Sequence, residues 1–146
     1  MEYTNLNVWM ETRKLVSEVY DMTKLLPRDE AFGLISQINR AVVSIPSNIA
    51  EGCGRKHSKE TIHFLYIARG SLYELETQIY LSLDQKYISN IIFQKLLRDI
   101  LECKKLINGF LNYYTRLSKK LSTVNRQLTT DNYHPINEHH QSRKSE

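Results

Sequence analysis

The chain has 146 residues, 41% of them hydrophobic and 25% charged, with a formal net charge of +4; this is apolar material for one buried core and no more charge than an ordinary globular chain carries. Five glycines, three prolines and the lack of short alternating apolar segments exclude a sheet architecture, and two cysteines are too few for a disulfide scaffold. No apolar run approaches the roughly 18 residues of a membrane span, so the expectation is an all-α protein of the cytoplasm that has no signal peptide and does not contact a membrane.

Val8, Leu15, Val19, Met22 and Leu26, with Trp9, Val16 and Tyr20 beside them, predict a first helix over about Asn5 to Leu25, capped by Thr4 or Asn5. A second helix is expected to open near Asp29 and Glu30, whose charges suit the positive end of a helix dipole. Its stripe is Leu34, Ile38, Ala41 and Ile45, widened by Ile35, Val42 and Ile49. Pro46 falls inside that pattern and predicts a kink near Val42. Gly52 and Gly54 are expected to stop the helix, and Ser58 to cap the next.

The third helix, about Lys59 to Lys86, carries Leu65, Ala68, Leu72, Leu75 and Ile79 at alternating steps of three and four, a heptad seam. Ser89 can cap a fourth, whose seam reads Phe93, Leu96, Ile100, Cys103, Ile107, Phe110, Tyr114, Leu117 and Leu121. Short connections make such helices antiparallel neighbours. The prediction is an up-down antiparallel four-helix bundle over residues 1–121, followed by a disordered tail over 122–146 with too few apolar groups to offset its ordering entropy.

Three features lie outside the seams. Tyr66, Tyr73, Tyr80 and Tyr87 repeat at intervals of seven on helix three. They read either as rings leaning over the monomer's own core or as a subunit interface, and Gly70 nearby would permit a close helix approach. On helix four, Lys95, Arg98, Lys105, Arg116 and Lys119 form a basic stripe, which is either a solvated face or a contact for phosphates. The link from Gly52 to Lys59 combines two glycines with Arg55, Lys56 and Lys59 ahead of a helix N-terminus. It is either a plain helix stop or an anion site, without the GKS or GKT of a P-loop.

No catalytic constellation, metal site or cofactor motif stands out. Glu60 and His63 form one Glu-x-x-His pair, but a di-iron bundle needs two. Cys103 sits on a seam as a small hydrophobe. Cys53 lies near Arg55, Lys56 and His57, which could lower its pKa, but has no oriented base. Arg40, Ser44, Ser47, Asn48, Glu51, Arg69 and Glu74 fall near the core of helices two and three. If buried, Arg40 or Arg69 must pair with Glu51 or Glu74, or these groups must face a cavity of an oligomer.

Three stretches carry a resemblance: NLNVW, FGLISQINRAVVSIPSNIAEGCGR and HFLYIARGSLYELETQI. Over about residues 5 to 120 the chain resembles the bacterial four-helix-bundle family that includes proteins encoded by intervening sequences of ribosomal RNA genes. That family is similar to the accessory variability protein of diversity-generating retroelements, and the resemblance implies a pentameric barrel with a basic surface suited to nucleic acid and to a reverse-transcriptase partner. Asn39 stands where the family usually has Arg.

The expected function is a non-enzymatic homo-oligomer, a pentamer, that binds RNA or DNA through Arg40, Arg55, Lys56, Lys59, Lys105, Arg116 and Lys119, with Tyr66, Tyr73, Tyr80 and Tyr87 at the oligomer interface. The alternative is a protein-interaction scaffold with a protein partner and no direct contact to nucleic acid.

Overall fold

Helix α1 spans Asn7–Thr23 in a computed structural model that describes residues 2–131. Neither Thr4 nor Asn5 caps it. Both are used in a 3-10 turn over Tyr3–Asn5, and Leu6 stands at the N-cap position without a side-chain bond. Val8, Leu15, Val19 and Met22 are buried, with Leu26 just beyond the helix. The repeat also buries Thr12, whose hydroxyl donates to the Val8 carbonyl at 2.8 Å and so satisfies itself within its own helix.

Helix α2 covers Leu34–Cys53 and starts later than Asp29 and Glu30, which form a 3-10 turn over Arg28–Glu30 behind Pro27. Glu30 nevertheless serves the helix: its Oε2 accepts the Leu34 amide at 3.0 Å, a carboxylate at the positive end of the dipole. Helical backbone continues unbroken through Val42 and Pro46 to Cys53. Gly52 lies inside the helix and is buried, where it sets a close contact with the next one. A Cβ there would sit 3.1 Å from the Phe64 Cβ and 3.2 Å from the Thr61 carbonyl, and the Thr61 hydroxyl donates to the Gly52 carbonyl at 2.8 Å.

Helix α3, Ser58–Asp84, is led by His57 at the N-cap rather than Ser58, with no side-chain cap. Its end is a paired-bond reversal in which the Tyr87 amide donates to Ser82 and the Lys86 amide to Leu83, with Lys86 in the left-handed region. Helix α4, Asn90–Asp131, begins as expected under Ser89, whose hydroxyl accepts the Ile92 amide at 3.3 Å.

The four helices form an all-α, four-sided, up-down antiparallel bundle: α1 packs on α2 and α4, α2 on α3, and α3 on α4. Leu65, Ala68, Leu72, Leu75 and Ile79 of α3 are fully buried, facing Phe93, Leu96, Ile100, Cys103 and Ile107 of α4. Further along α4 the expected seam changes. Leu111 is buried, Phe110 and Tyr114 are only partly covered, and Leu121 is exposed, where α4 runs beside the α2–α3 turn rather than between helices. The boundary at 121 is corrected as well. The helix continues through Asp131, with Ser122, Thr123, Thr129 and Thr130 hydroxyls bonded to carbonyls one turn back; the rest of the expected tail lies outside the described residues.

No buried charge network forms between α2 and α3. Glu51 pairs on the surface with Arg55 at 2.8 Å, Arg69 reaches Asn108 at 3.3 Å, and Glu74 accepts from Gln78. The polar contact between these helices is uncharged: the Ser44 and Ser71 hydroxyls meet at 2.9 Å and Asn48 donates to Ser44, which avoids the desolvation cost of an ion pair. Asn39 is half-buried and accepts from the Thr23 hydroxyl at 3.3 Å, so that position is engaged with α1. Among the described residues no helix is long and apolar enough to cross a membrane.

Candidate nucleic-acid and subunit interfaces

All seven basic candidates are exposed, but the fold does not gather them into one patch. The turn between α2 and α3 places Lys56 and Lys59 beside α4, where they line a cleft with His57, Ser58, Ser118, Leu121, Ser122 and Asn125. The first amides of α3 open toward the same end without a side-chain cap, which favours negative charge there. Arg116 lines a second depression on α4 with Gly109, Asn112, Tyr113, Leu117 and Lys120. Lys105 shares the outward face of α4 but lies about 20 Å from Lys119 along the axis, and Arg40 stands a similar distance up α2 from the turn.

The charge state of these side chains differs. Arg55 is bound by Glu51 and lies over the Phe64 ring at 4.6 Å, so it is partly neutralised. Lys95 is held by Glu18 and Asp99, each at 3.3 Å. Arg40, Lys56, Lys59, Lys105, Arg116 and Lys119 make no ion pair among the described residues. The hydroxyl and amide groups opposite Lys56 and Lys59, together with Lys120, escaped the sequence reading, although the spacing of Ser118, Ser122 and Asn125 on a helix would have placed them on one face.

The tyrosine stripe divides. Tyr66, Tyr73 and Tyr80 are 49%, 49% and 47% exposed and line the α3 edge facing α4. Arg69 lies over Tyr66 at 4.8 Å and Lys104 over Tyr73 at 4.4 Å, while Tyr80 meets Phe93 edge-on at 4.9 Å. Lys104 is also paired with Glu76. Tyr87 is only partly exposed, and its hydroxyl donates to Glu30 at 3.1 Å, a bond that holds the phenol above its ordinary pKa. It ties the two turns at one end of the bundle together, which distinguishes it from the other three. A Cβ on Gly70 would meet nothing within 4 Å, so nothing within the described monomer requires glycine there.

Neither thiol is activated. Burial pushes Cys53 up despite the cations that follow it, and pushes Cys103 up to about 12. Glu60 and His63 are exposed, and among the described residues no cluster of three or more His, Cys, Asp and Glu could hold a metal ion. One group of acids does interact across α1 and α4. Glu18 is held above its ordinary value of 4.5, first by burial and then by a hydrogen bond and repulsion from Asp99. Burial acts the same way on Asp99, but bonds from Glu18 and Lys95 outweigh it and set that carboxyl below its ordinary value of 3.8.

The family of 23S rRNA-intervening sequence proteins matches residues 4–109. A solved structure of a protein of unknown function from the S23 ribosomal protein family of Bacteroides thetaiotaomicron is similar in fold. It has a TM-score of 0.67 and 24% sequence identity, covering 71% of this chain and 97% of that one. None of the curated proteins matches.

Proposed function

We propose, from the premise that the chain belongs to the 23S rRNA-intervening sequence protein family, that it is a non-enzymatic homo-oligomer, a pentamer, that binds RNA or DNA through its basic surfaces. The observation that carries this reading is the set of unpaired cations: six of the seven candidate side chains are exposed and have no carboxylate within reach among the described residues. A surface serving only solubility mixes its signs. Cations without partners keep their full charge for phosphate oxygens and gain by releasing the counterions condensed on a nucleic acid. Gly109 supports the same reading, since a Cβ there would meet nothing within 4 Å and Arg116 and Lys120 line the depression over it, so a backbone can come close.

Such contacts position a nucleic acid without reading its bases, so binding is weakly selective for sequence. Gel-shift titration at two salt concentrations tests it. Binding at low salt should weaken steeply as salt rises, and Lys105→Glu with Arg116→Glu and Lys119→Glu should lower affinity at least about tenfold and flatten the salt dependence by about one unit of slope for each cation replaced. No binding at low salt, or a triple variant with unchanged affinity, would refute the proposal.

A protein-interaction scaffold is the second reading, favoured by the fully exposed Phe32 and by the half-exposed tyrosines, since isolated aromatic rings anchor protein interfaces. Pull-down from nuclease-treated lysate separates the two, because a protein partner survives the nuclease and a nucleic-acid bridge does not.

A further inference from the structure

Helix α4 has 42 residues where α3 has 27, and residues 119–131 are exposed throughout; Leu121, Ser122 and Asn125 still border the Lys56–Lys59 turn, so the residues after Asn125, about 9 Å of helix, run clear of it. The apolar repeat does not stop there. After Tyr114 and Leu117 it continues to Leu121, Val124 and Leu128, at steps of three and four, and these last three are 53%, 46% and 56% exposed. A strict seven-residue repeat selects another helix as its cover, because it keeps one narrow seam facing one rod. The flanks, Ser118, Asn125 and Gln127 with Lys120 the sole charge, would meet their own copies with little repulsion.

We infer that the projecting end of α4 pairs with the same segment of a second copy, antiparallel and about a two-fold axis. The direction follows from sterics. Leu121 lies toward the bundle, in the cleft with Lys56 and Lys59, so a parallel partner seated on it would drive its own bundle into this one. An antiparallel partner arrives end-on. With Val124 of one copy against Leu128 of the other, Asp131 of each copy reaches the level of Leu121 opposite, beside Lys56 and Lys59. Asp131 of each copy meets the basic turn of the other, once at each end of the two-fold contact.

The seam is short, so the pairing strengthens with protein concentration. If the bundles also form a ring through their tyrosine faces, all projecting ends point to one side of it and the two-fold joins ring to ring. Native mass spectrometry of the full chain tests this. Leu121→Glu with Leu128→Glu, both at exposed positions, should halve the native mass whatever the ring size, while circular dichroism and melting temperature stay unchanged. An unchanged mass would overturn the inference. In a Cys53→Ser background, chains carrying Val124→Cys mixed with chains carrying Leu128→Cys should form mixed disulfide dimers faster than either alone, and self-linked dimers forming as fast as mixed ones would overturn the antiparallel register. None of the substituted positions is a proposed phosphate contact, although the pairing covers Lys56 and Lys59; an unchanged mass therefore overturns the pairing and leaves the nucleic-acid reading intact.

Discussion

Lys86 is held with φ 61° at the turn between α3 and α4, a conformation that costs a side chain about 1 kcal/mol and costs glycine almost nothing. The surrounding bonds from Tyr87 to Ser82 and from Lys86 to Leu83 fix it there, and the side chain is exposed with no partner among the described residues. Lys86→Gly should therefore stabilise the protein by up to about 0.5 kcal/mol, the relieved strain being partly offset by the greater freedom of the unfolded chain; urea denaturation followed by circular dichroism measures it. The opposite holds at Gly52, where any side chain would press on Phe64 and Thr61. Gly54 does stop α2, as the sequence indicates, but in ordinary right-handed geometry, so of the two glycines it is Gly52, read only as a second stop, whose lack of a side chain the packing uses.

Between elements, the contact of α1 with α4 is where pH acts. Glu18 binds its proton more tightly in the folded protein than in the unfolded chain, so folding gains as pH falls from neutral through the raised value toward 4.5. Asp99 works in the other sense: its contribution is present above 3.8 and is lost as pH falls through its lowered folded value. The stabilisation from this pair therefore peaks in mild acid. At neutral pH the charged Glu18 leaves Oε2 buried without a partner, and Glu18→Gln should raise stability there by about 1 kcal/mol. The variant should also lack the gain in melting temperature expected of the parent as pH falls from neutral toward 4.5, which thermal unfolding across that range measures. Such a pair was invisible in the sequence, because Glu18 and Asp99 are far apart in the chain and each looks like an ordinary surface acid. The helices themselves were legible, since the three-four spacing of Leu65 to Ile79 and of Phe93 to Ile107 reports a buried face directly. Their ends were only partly legible: Ser89 caps α4 and Gly54 ends α2 as read, but Thr4, Asn5 and Ser58 have the same capping chemistry and do not cap, because which residue caps depends on where the chain turns. For the same reason Leu121 looked buried, as a heptad repeat carries on where a turn rather than a helix lies beside it.

On the scale of the whole molecule, the unpaired cations are scattered while three tyrosines share one edge. Arg40, Lys105 and the Lys56–Lys59 turn are spread over the bundle, which explains why composition indicated a basic protein while no short motif marked a site. Tyr66, Tyr73 and Tyr80 line one edge, each already leaning on a neighbour and each about half open to solvent. Tyr73→Glu with Tyr80→Glu should dissociate the proposed assembly while helicity persists, and an unchanged native mass would remove this face from the interface.

The order of packing has a further consequence. Each helix docks on the one before it in the chain, and only α1 with α4 requires distant stretches to meet. Hairpins closed by brief reversals cost little chain entropy, so the α1–α2 and α2–α3 pairs need only chain that is made before α4. The last joint to shut is the one that encloses Glu18, and burial of that carboxyl has to wait for the carboxy-terminal helix.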